Sequence, residues 1–240
     1  MTKISTDVLG NALIDYLAGE KDATLAVHSD ITETEELKAT YFFRNYDAMP
    51  ELEKTALGLC RGDVADLGAG AGSHSLVLQE KKLNVTAFDI SEGACTVMQQ
   101  RGVKQVVHTS FFDLGDKQFD TILMLMNGVG LVGDIDGLTS FLQQIKKNLK
   151  PGAQILADSS DISYMFYDEE EGALHIDLNA EYHGVVTYQM EYKNLQGKPF
   201  KWLFIDFTVL SDYATQSGFN CELLYEGDNY QYLARLILDK

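Results

Sequence analysis

Between residues 63 and 158 the chain alternates short apolar runs with stretches of helical period. Val64, Ala65 and Leu67 read as a buried strand, and a helix-compatible run, 73–82, follows a glycine turn. Residues 84–89, Asn-Val-Thr-Ala-Phe-Asp, predict a second strand, and Ser91 is placed to N-cap a helix over 92–101 that Gly102 ends. Residues 105–108 predict a short third strand. Residues 119–126, Phe-Asp-Thr-Ile-Leu-Met-Leu-Met, are nearly all apolar, as a central parallel strand buried on both faces should be. Leu138, Phe141, Leu142, Ile145 and Leu149 then give a helix one apolar stripe, Lys150-Pro-Gly152 stops it, and 153–158 is the fifth strand. Alternation of this kind predicts an α/β architecture: a Rossmann-like, doubly wound, mostly parallel sheet with helices on both faces.

The flanks read differently. In 7–18, Val8, Leu9, Ala12, Leu13 and Tyr16 share a helical face, with Asp7 as N-cap and Gly19 as stop. Residues 20–40 are polar and acid-rich, with a short helix expected after Thr32. Tyr41-Phe-Phe-Arg-Asn-Tyr46 clusters aromatic rings around Arg44, and a helix follows Met49-Pro50 as far as about Cys60. After Asp161 comes a charge run, Asp168-Glu-Glu-Glu171, read as a solvated loop. Two β-rich stretches, 183–192 and 200–208, flank Asn194-Leu-Gln-Gly197 and predict an antiparallel hairpin. A short helix over 211–218 and strands over 221–225 and 230–238 close the chain.

Composition narrows the partners. Among 240 residues, 36 acids stand against 19 bases, for a net charge of −17. Such a surface repels phosphate backbones, so nucleic acid is not an expected partner; it favours solubility and attracts cations. The start of the chain has no apolar signal core, and no run approaches the length of a membrane span, which predicts a cytoplasmic protein without a membrane partner. Cys60, Cys95 and Cys221 are scattered without C-x-x-C spacing, as expected of reduced thiols. His28, His74, His108, His175 and His183 form no pair at ligand spacing, and no metal is expected.

The candidate chemistry is concentrated in Val64-Ala-Asp-Leu-Gly-Ala-Gly-Ala-Gly-Ser73. Strand, glycine turn and helix together make a nucleotide cradle, with free N–H groups and the positive end of the helix dipole facing the ligand. A dinucleotide fingerprint G-x-G-x-x-G beginning at Gly68 would need glycine where Ser73 stands. The chain instead has Asp66-x-Gly68-x-Gly70-x-Gly72, and Asp89 ends the second strand, placed to accept both hydroxyls of a ribose. In these features it resembles the class I S-adenosylmethionine-dependent methyltransferases, well over 41–160 and in general plan beyond.

The resemblance implies S-adenosyl-L-methionine as cofactor and a terminal antiparallel strand pair at the sheet edge. It places the loop Asp66, Gly68, Ala69, Gly70 and Gly72 under the methionine half and Asp89 with Ile90 at the ribose. The family usually offers an acid to the adenine amine at the end of the third strand. Ser110 stands there in this chain, with Asp113 three residues on, and the Phe111 backbone and ring are the expected substitute. Met126 and Asn127, opening the Asn127-Gly-Val-Gly130 loop, are implied near the amino group and the methyl; Asn-Gly is also an ordinary turn pair. Arg44 suits the methionine carboxylate, since a guanidinium matches a carboxylate fork.

Methyl transfer is an in-line displacement by a nitrogen, oxygen or carbon nucleophile, and needs mainly a dry pocket that holds the nucleophile about 3–3.5 Å from the methyl. Candidate catalytic residues are Asn127, Tyr41 and Asp158, with Asp161 and His28 as further candidate bases. Two other readings stay open: a non-catalytic binding or regulatory protein that keeps the pocket, and a nicotinamide-dependent oxidoreductase. The acceptor is expected to be a small molecule, and a homodimer is allowed. The expected organisation is one domain over 1–240: a helical cap (1–62), a cofactor-binding core (63–160), a β-hairpin insertion (161–208) and a closing helix with antiparallel strands (209–240). The hairpin serves either as a roof or as a subunit interface.

Overall fold

The computed structural model describes residues 3–4, 7–168, 172–174 and 181–239. Glu169 to Glu171 of the charge run and His175 lie outside the described residues. The leading part contains β1 (Lys3–Ile4), α1 (Val8–Ala18), β2 (Thr24–Ser29), β3 (Glu35–Lys38), two 3-10 turns (Ala39–Phe43 and Tyr46–Ala48) and α2 (Glu51–Leu59). The core follows as β4 (Asp63–Leu67), α3 (Ser73–Glu80), β5 (Asn84–Asp89), α4 (Glu92–Arg101), β6 (Val106–His108), β7 (Phe119–Met124), α5 (Ile135–Gln144) and β8 (Leu149–Ser160). Then come the pairs β9 (Tyr167–Asp168) and β10 (Ala173–Leu174), β11 (Val185–Tyr192), β12 (Leu195–Gln196) and β13 (Phe200–Leu203), and finally α6 (Phe207–Gln216), β14 (Phe219–Glu226) and β15 (Gln231–Leu238).

The main sheet has seven strands in the order β14-β15-β8-β7-β4-β5-β6. Strands β4 to β8 pair in parallel, and β15 and β14 add antiparallel at one edge. Side chains alternate across the strands and so fill two layers. Val64, Val85, Leu123 and Leu156 pack under α2 and α3, whereas Ala65, Ile122, Met124 and Ile155 meet α5 and α6. The helix signals acted as expected: Asp7 and Ser91 accept backbone N–H groups at the starts of α1 and α4, and Gly19 and Gly102 end them in left-handed geometry.

A second sheet departs from the sequence expectation. Its order is β1-β12-β11-β2-β3, with β13 also on β11. It combines the leading segment with the insertion, so neither stands alone. The expected short helix after Thr32 is absent; Glu35–Lys38 is strand, paired antiparallel to β2. The reason is tertiary: Leu25 is fully buried, and β2 pairs with Tyr188 to Glu191 of β11. The leading part is therefore a mixed cap, not a helical one. Helix α1 fills the space between this sheet and α4, burying Val8, Ala12 and Leu13 against Leu25, Val97 and Tyr192. Lys150-Pro-Gly152, expected as a helix stop, lies inside β8, where Lys150 Nζ pairs with Asp63 and Asp120 at 2.5 and 2.8 Å.

Candidate active site

Strand β4 delivers the glycine loop to the carboxyl end of the sheet. Gly68, Gly70 and Gly72 have φ of 68°, 56° and 80°, the left-handed region that a side chain resists. A Cβ on Gly68 would come within 2.9 Å of Leu131, and one on Gly72 within 2.8 Å of Val103. The loop is tied to the neighbouring strand by Gly68 and Ala69 N–H bonds to the Phe88 carbonyl and by Gly70 N–H to Asp89 Oδ2 at 2.8 Å. The other Asp89 oxygen accepts Ser91 N–H, also at 2.8 Å. Burial raises the Asp89 pKa against these two bonds. A carboxylate has about four acceptor sites, so two backbone bonds leave room for a diol. Ile90, next along, is 71 % exposed beside it.

Asp66 does not face this cleft. It is 2 % exposed and accepts the Ser75 hydroxyl at 2.6 Å, bracing β4 against α3 from below the loop. Ser110 forms a turn, its carbonyl taking Asp113 N–H at 2.8 Å, and Asp113 is exposed. The Phe111 ring packs on Phe112 and Phe141, with centroids 4.3 and 5.9 Å away. The ring is half-buried and rests on the core, so both the ring and the backbone of Phe111 stay candidates for the adenine contact.

Beyond β7, Met126 and Asn127 both have positive φ, 68° and 54°, two consecutive strained residues without glycine. Asp158 holds this bend. Its Oδ1 accepts Gly128 N–H at 2.8 Å, and burial pushes its pKa up to about 6 despite bonds from Gly128 and Asn127, with the charge of Glu53 adding to the rise. Asn127 Oδ1 accepts the Ser160 hydroxyl at 2.6 Å, which leaves its amide N–H donors to point elsewhere. Asp158 thus anchors the loop instead of standing ready as an open base. The Trp202 indole of β13 packs against this loop, so close that a Cβ on Gly130 would sit 1.9 Å from its Nε1.

The cap covers the other side. Phe42 reaches over Gly70, and its carbonyl accepts the Ser73 hydroxyl at 2.7 Å. Arg44 stacks 3.8 Å from the Tyr41 ring centroid and donates to Glu53 at 2.8 Å. Glu53, 3 % exposed, also meets His74 Nε2 at 2.8 Å. Burial opposes the His74 imidazolium, yet the Glu53 hydrogen bond and the charges of Asp66 and Glu53 outweigh it and raise its pKa. Burial likewise works against ionised Glu53, but His74 and Arg44 hold its carboxyl below the usual range. Glu53 and His74 were missed by sequence reasoning; the available signal was a histidine in the first turn of α3. Tyr41 is 41 % exposed at the cap surface. Asp161 Oδ1 accepts Ser163 N–H at 2.8 Å just past β8. His28 is engaged within the second sheet, bonded to Thr34 at 2.9 Å and 3.6 Å from Glu191, and does not join the site.

A glycine loop on the first core strand and an acid on the second are what the structure shares with enzymes of one large family. A family model described as a methyltransferase domain matches residues 64–152. A solved S-adenosylmethionine-dependent methyltransferase from Bacteroides fragilis, in complex with S-adenosyl-L-homocysteine, is 41% identical, covering 100% of this chain and 99% of that one with a TM-score of 0.92. The chain belongs to the class I S-adenosylmethionine-dependent methyltransferases. The methyltransferase takes S-adenosylmethionine as its cofactor, and the nicotinamide and non-catalytic readings are not favoured. Two more distant structures share its fold: CcbJ from Streptomyces caelestis (13% identity, 81% of this chain and 95% of that one, TM-score 0.60) and the sugar N-methyltransferase KedS8 from a Streptoalloteichus species (12%, 89% and 97%, 0.60). No curated protein matches the chain. Among the described residues, no helix is long and apolar enough to cross a membrane.

Proposed function

We propose that this methyltransferase acts on a small-molecule nucleophile held under a roof formed by its second sheet and cap. The observation that carries the reading is Trp202 seated on Gly130, which fastens the roof to the strained loop at the transfer site. The strands that the sequence left open as roof or subunit interface pair within one chain: β11 has β2 on one side and β12 and β13 on the other. A net charge of −17 argues against a nucleic acid acceptor.

The residues fit the cofactor in a definite way. The left-handed glycines let a ligand approach the backbone, and Asp89, anchored by Gly70 and Ser91, presents its remaining acceptor sites to the ribose hydroxyls. Arg44, oriented by Glu53 and the Tyr41 face, takes the methionine carboxylate, and the Met126–Asn127 bend supplies backbone groups for the amino group. When bound, the cofactor supplies an activated methyl with a good leaving group. The protein then has to position the acceptor and exclude water, a task for Phe42 and Leu131 at the glycine loop and Trp202 at the Asn127–Gly130 loop.

Incubation with methyl-labelled cofactor and a metabolite extract, with total RNA and with denatured protein as parallel acceptors, tests this reading. Label is expected in a dialysable product. Label confined to RNA or protein would overturn the small-molecule assignment.

A further inference from the structure

Residues 151–192 and 202–234 contain neither lysine nor arginine. The two segments meet at one place, the carboxyl end of β8, where Asp161 N–H donates to the Tyr230 carbonyl at 3.0 Å. Tyr230 is held at φ 55°, a conformation uncommon for a bulky residue, and its ring stacks on Tyr164 with centroids 5.1 Å apart and planes 20° apart. Both rings stay open to solvent, 61 % and 53 % exposed. The contact between them hides little of either ring, so the pair presents a continuous exposed aromatic surface.

Because β15 is antiparallel, its first residues lie at the same end of the sheet as the glycine loop. Ser160, next to Asp161, bonds to Asn127, so the tyrosine pair stands two strands, about 10 Å, from the strained loop. Acids set the local charge. Asp206 accepts the Tyr182 hydroxyl at 2.8 Å, and among the described residues no basic side chain forms an ion pair with Asp161 or Asp206. The nearest lysine in sequence, Lys201, is held by Glu181 and Asp134.

We infer that Tyr164, Tyr230 and Asp161 form an acceptor subsite for a cationic, amine-bearing small molecule. This rests on the small-molecule reading above and names its substrate class. Two aromatic faces attract an ammonium through the ring quadrupole, and the neighbouring Asp161 carboxylate, which among the described residues forms no ion pair with a basic side chain, adds negative charge. A neutral or anionic acceptor would gain nothing from that arrangement.

Choline and its neutral isostere 3,3-dimethylbutan-1-ol serve as probes, titrated by NMR into the full chain saturated with S-adenosylhomocysteine. Choline is expected to bind about tenfold tighter than the alcohol. Tyr164→Ala, Tyr230→Gly (a residue suited to the positive φ) and Asp161→Asn should each remove most of that preference. Tyr164→Phe should keep it, and all four should bind S-adenosylhomocysteine as the wild type does, which also shows that they fold. Equal binding of the two probes, or a preference indifferent to the ring deletions, would overturn the subsite. So would a change from dimer to monomer in the ring variants with choline binding unaltered, which would make the patch a face for a second copy. Failure of the wild type to bind S-adenosylhomocysteine is read in the same titration and speaks against the cofactor assignment alone, since the choline preference is still measured.

Discussion

Replacing Asp158 by asparagine removes a buried charge and keeps an oxygen for the Gly128 N–H. The carboxyl has a pKa of about 6 here against 3.8 ordinarily. At 1.36 kcal/mol per pH decade, ionising it in the folded state costs about 3 kcal/mol. The sign follows from proton occupancy: the folded protein keeps this proton to higher pH than the unfolded chain does. Its contribution to stability therefore falls as pH rises from about 4 to about 6, and the whole penalty is present above that. Asparagine carries no such penalty. Asp158→Asn is expected to match the wild type near pH 4 and to exceed it at pH 8 by as much as about 3 kcal/mol, or about 6–12 °C in Tm. Paired thermal melts at several pH values measure the difference, in which all other titrating groups cancel. The same variant should turn over more slowly, because neutral oxygen grips the strained Met126–Asn127 bend less firmly. A variant destabilised equally at pH 5 and pH 8 would refute the reasoning, since burial of the charge would then be irrelevant to the fold.

Three further outcomes are expected. Asp89→Ala should weaken S-adenosylhomocysteine binding about 10- to 100-fold by calorimetry, because hydrogen bonds to a charged group are worth about 1.5–3 kcal/mol, with the fold retained; unchanged affinity would remove Asp89 from the site. Gly130→Ala drives a methyl into Trp202 and should cost about 1–3 kcal/mol while leaving cofactor affinity nearly intact and turnover greatly reduced; full activity would show the roof contact to be dispensable. Glu53→Gln leaves buried His74 and half-buried Arg44 without their counter-charge and should cost about 3–5 kcal/mol in urea unfolding. His74 has a raised pKa, so its stabilisation is complete below the unfolded value of about 6.5 and is lost as pH climbs through the folded one; the variant should lose that slope.

Local rules made the glycine loop and the strand-end acid readable. A glycine's positive φ, a helix cap and a strand-end acid are each decided within a few residues, and Gly68 to Gly72, Ser91 and Asp89 fell where those rules put them. What escaped depends on partners far along the chain. Thr24–Ser29 alternates weakly, and Glu35–Lys38 carries two acids, so neither looks like a strand until β11 pairs with β2 and β2 with β3. Glu53 resembles any acid in the first turn of a helix; only Arg44 and His74 arriving on either side explain its burial. Phe111 shows the opposite case, since an aromatic at a strand end serves a core as readily as a ligand, and its half-buried ring rests on Phe141.

The interleaving of the second sheet also dictates an order of assembly. Lys3 registers with Leu195, and Ser29 with Tyr188, so the edge of β2 that does not face β3 has no native partner until nearly four-fifths of the chain has left the ribosome. Strands β4 to β8 need only their neighbours and can condense first. During that interval β2 is an open template for another chain. Its neighbour β3 opens with Glu35 and Glu36, and like charges on nascent copies would hold them apart until β11 emerges to close the edge.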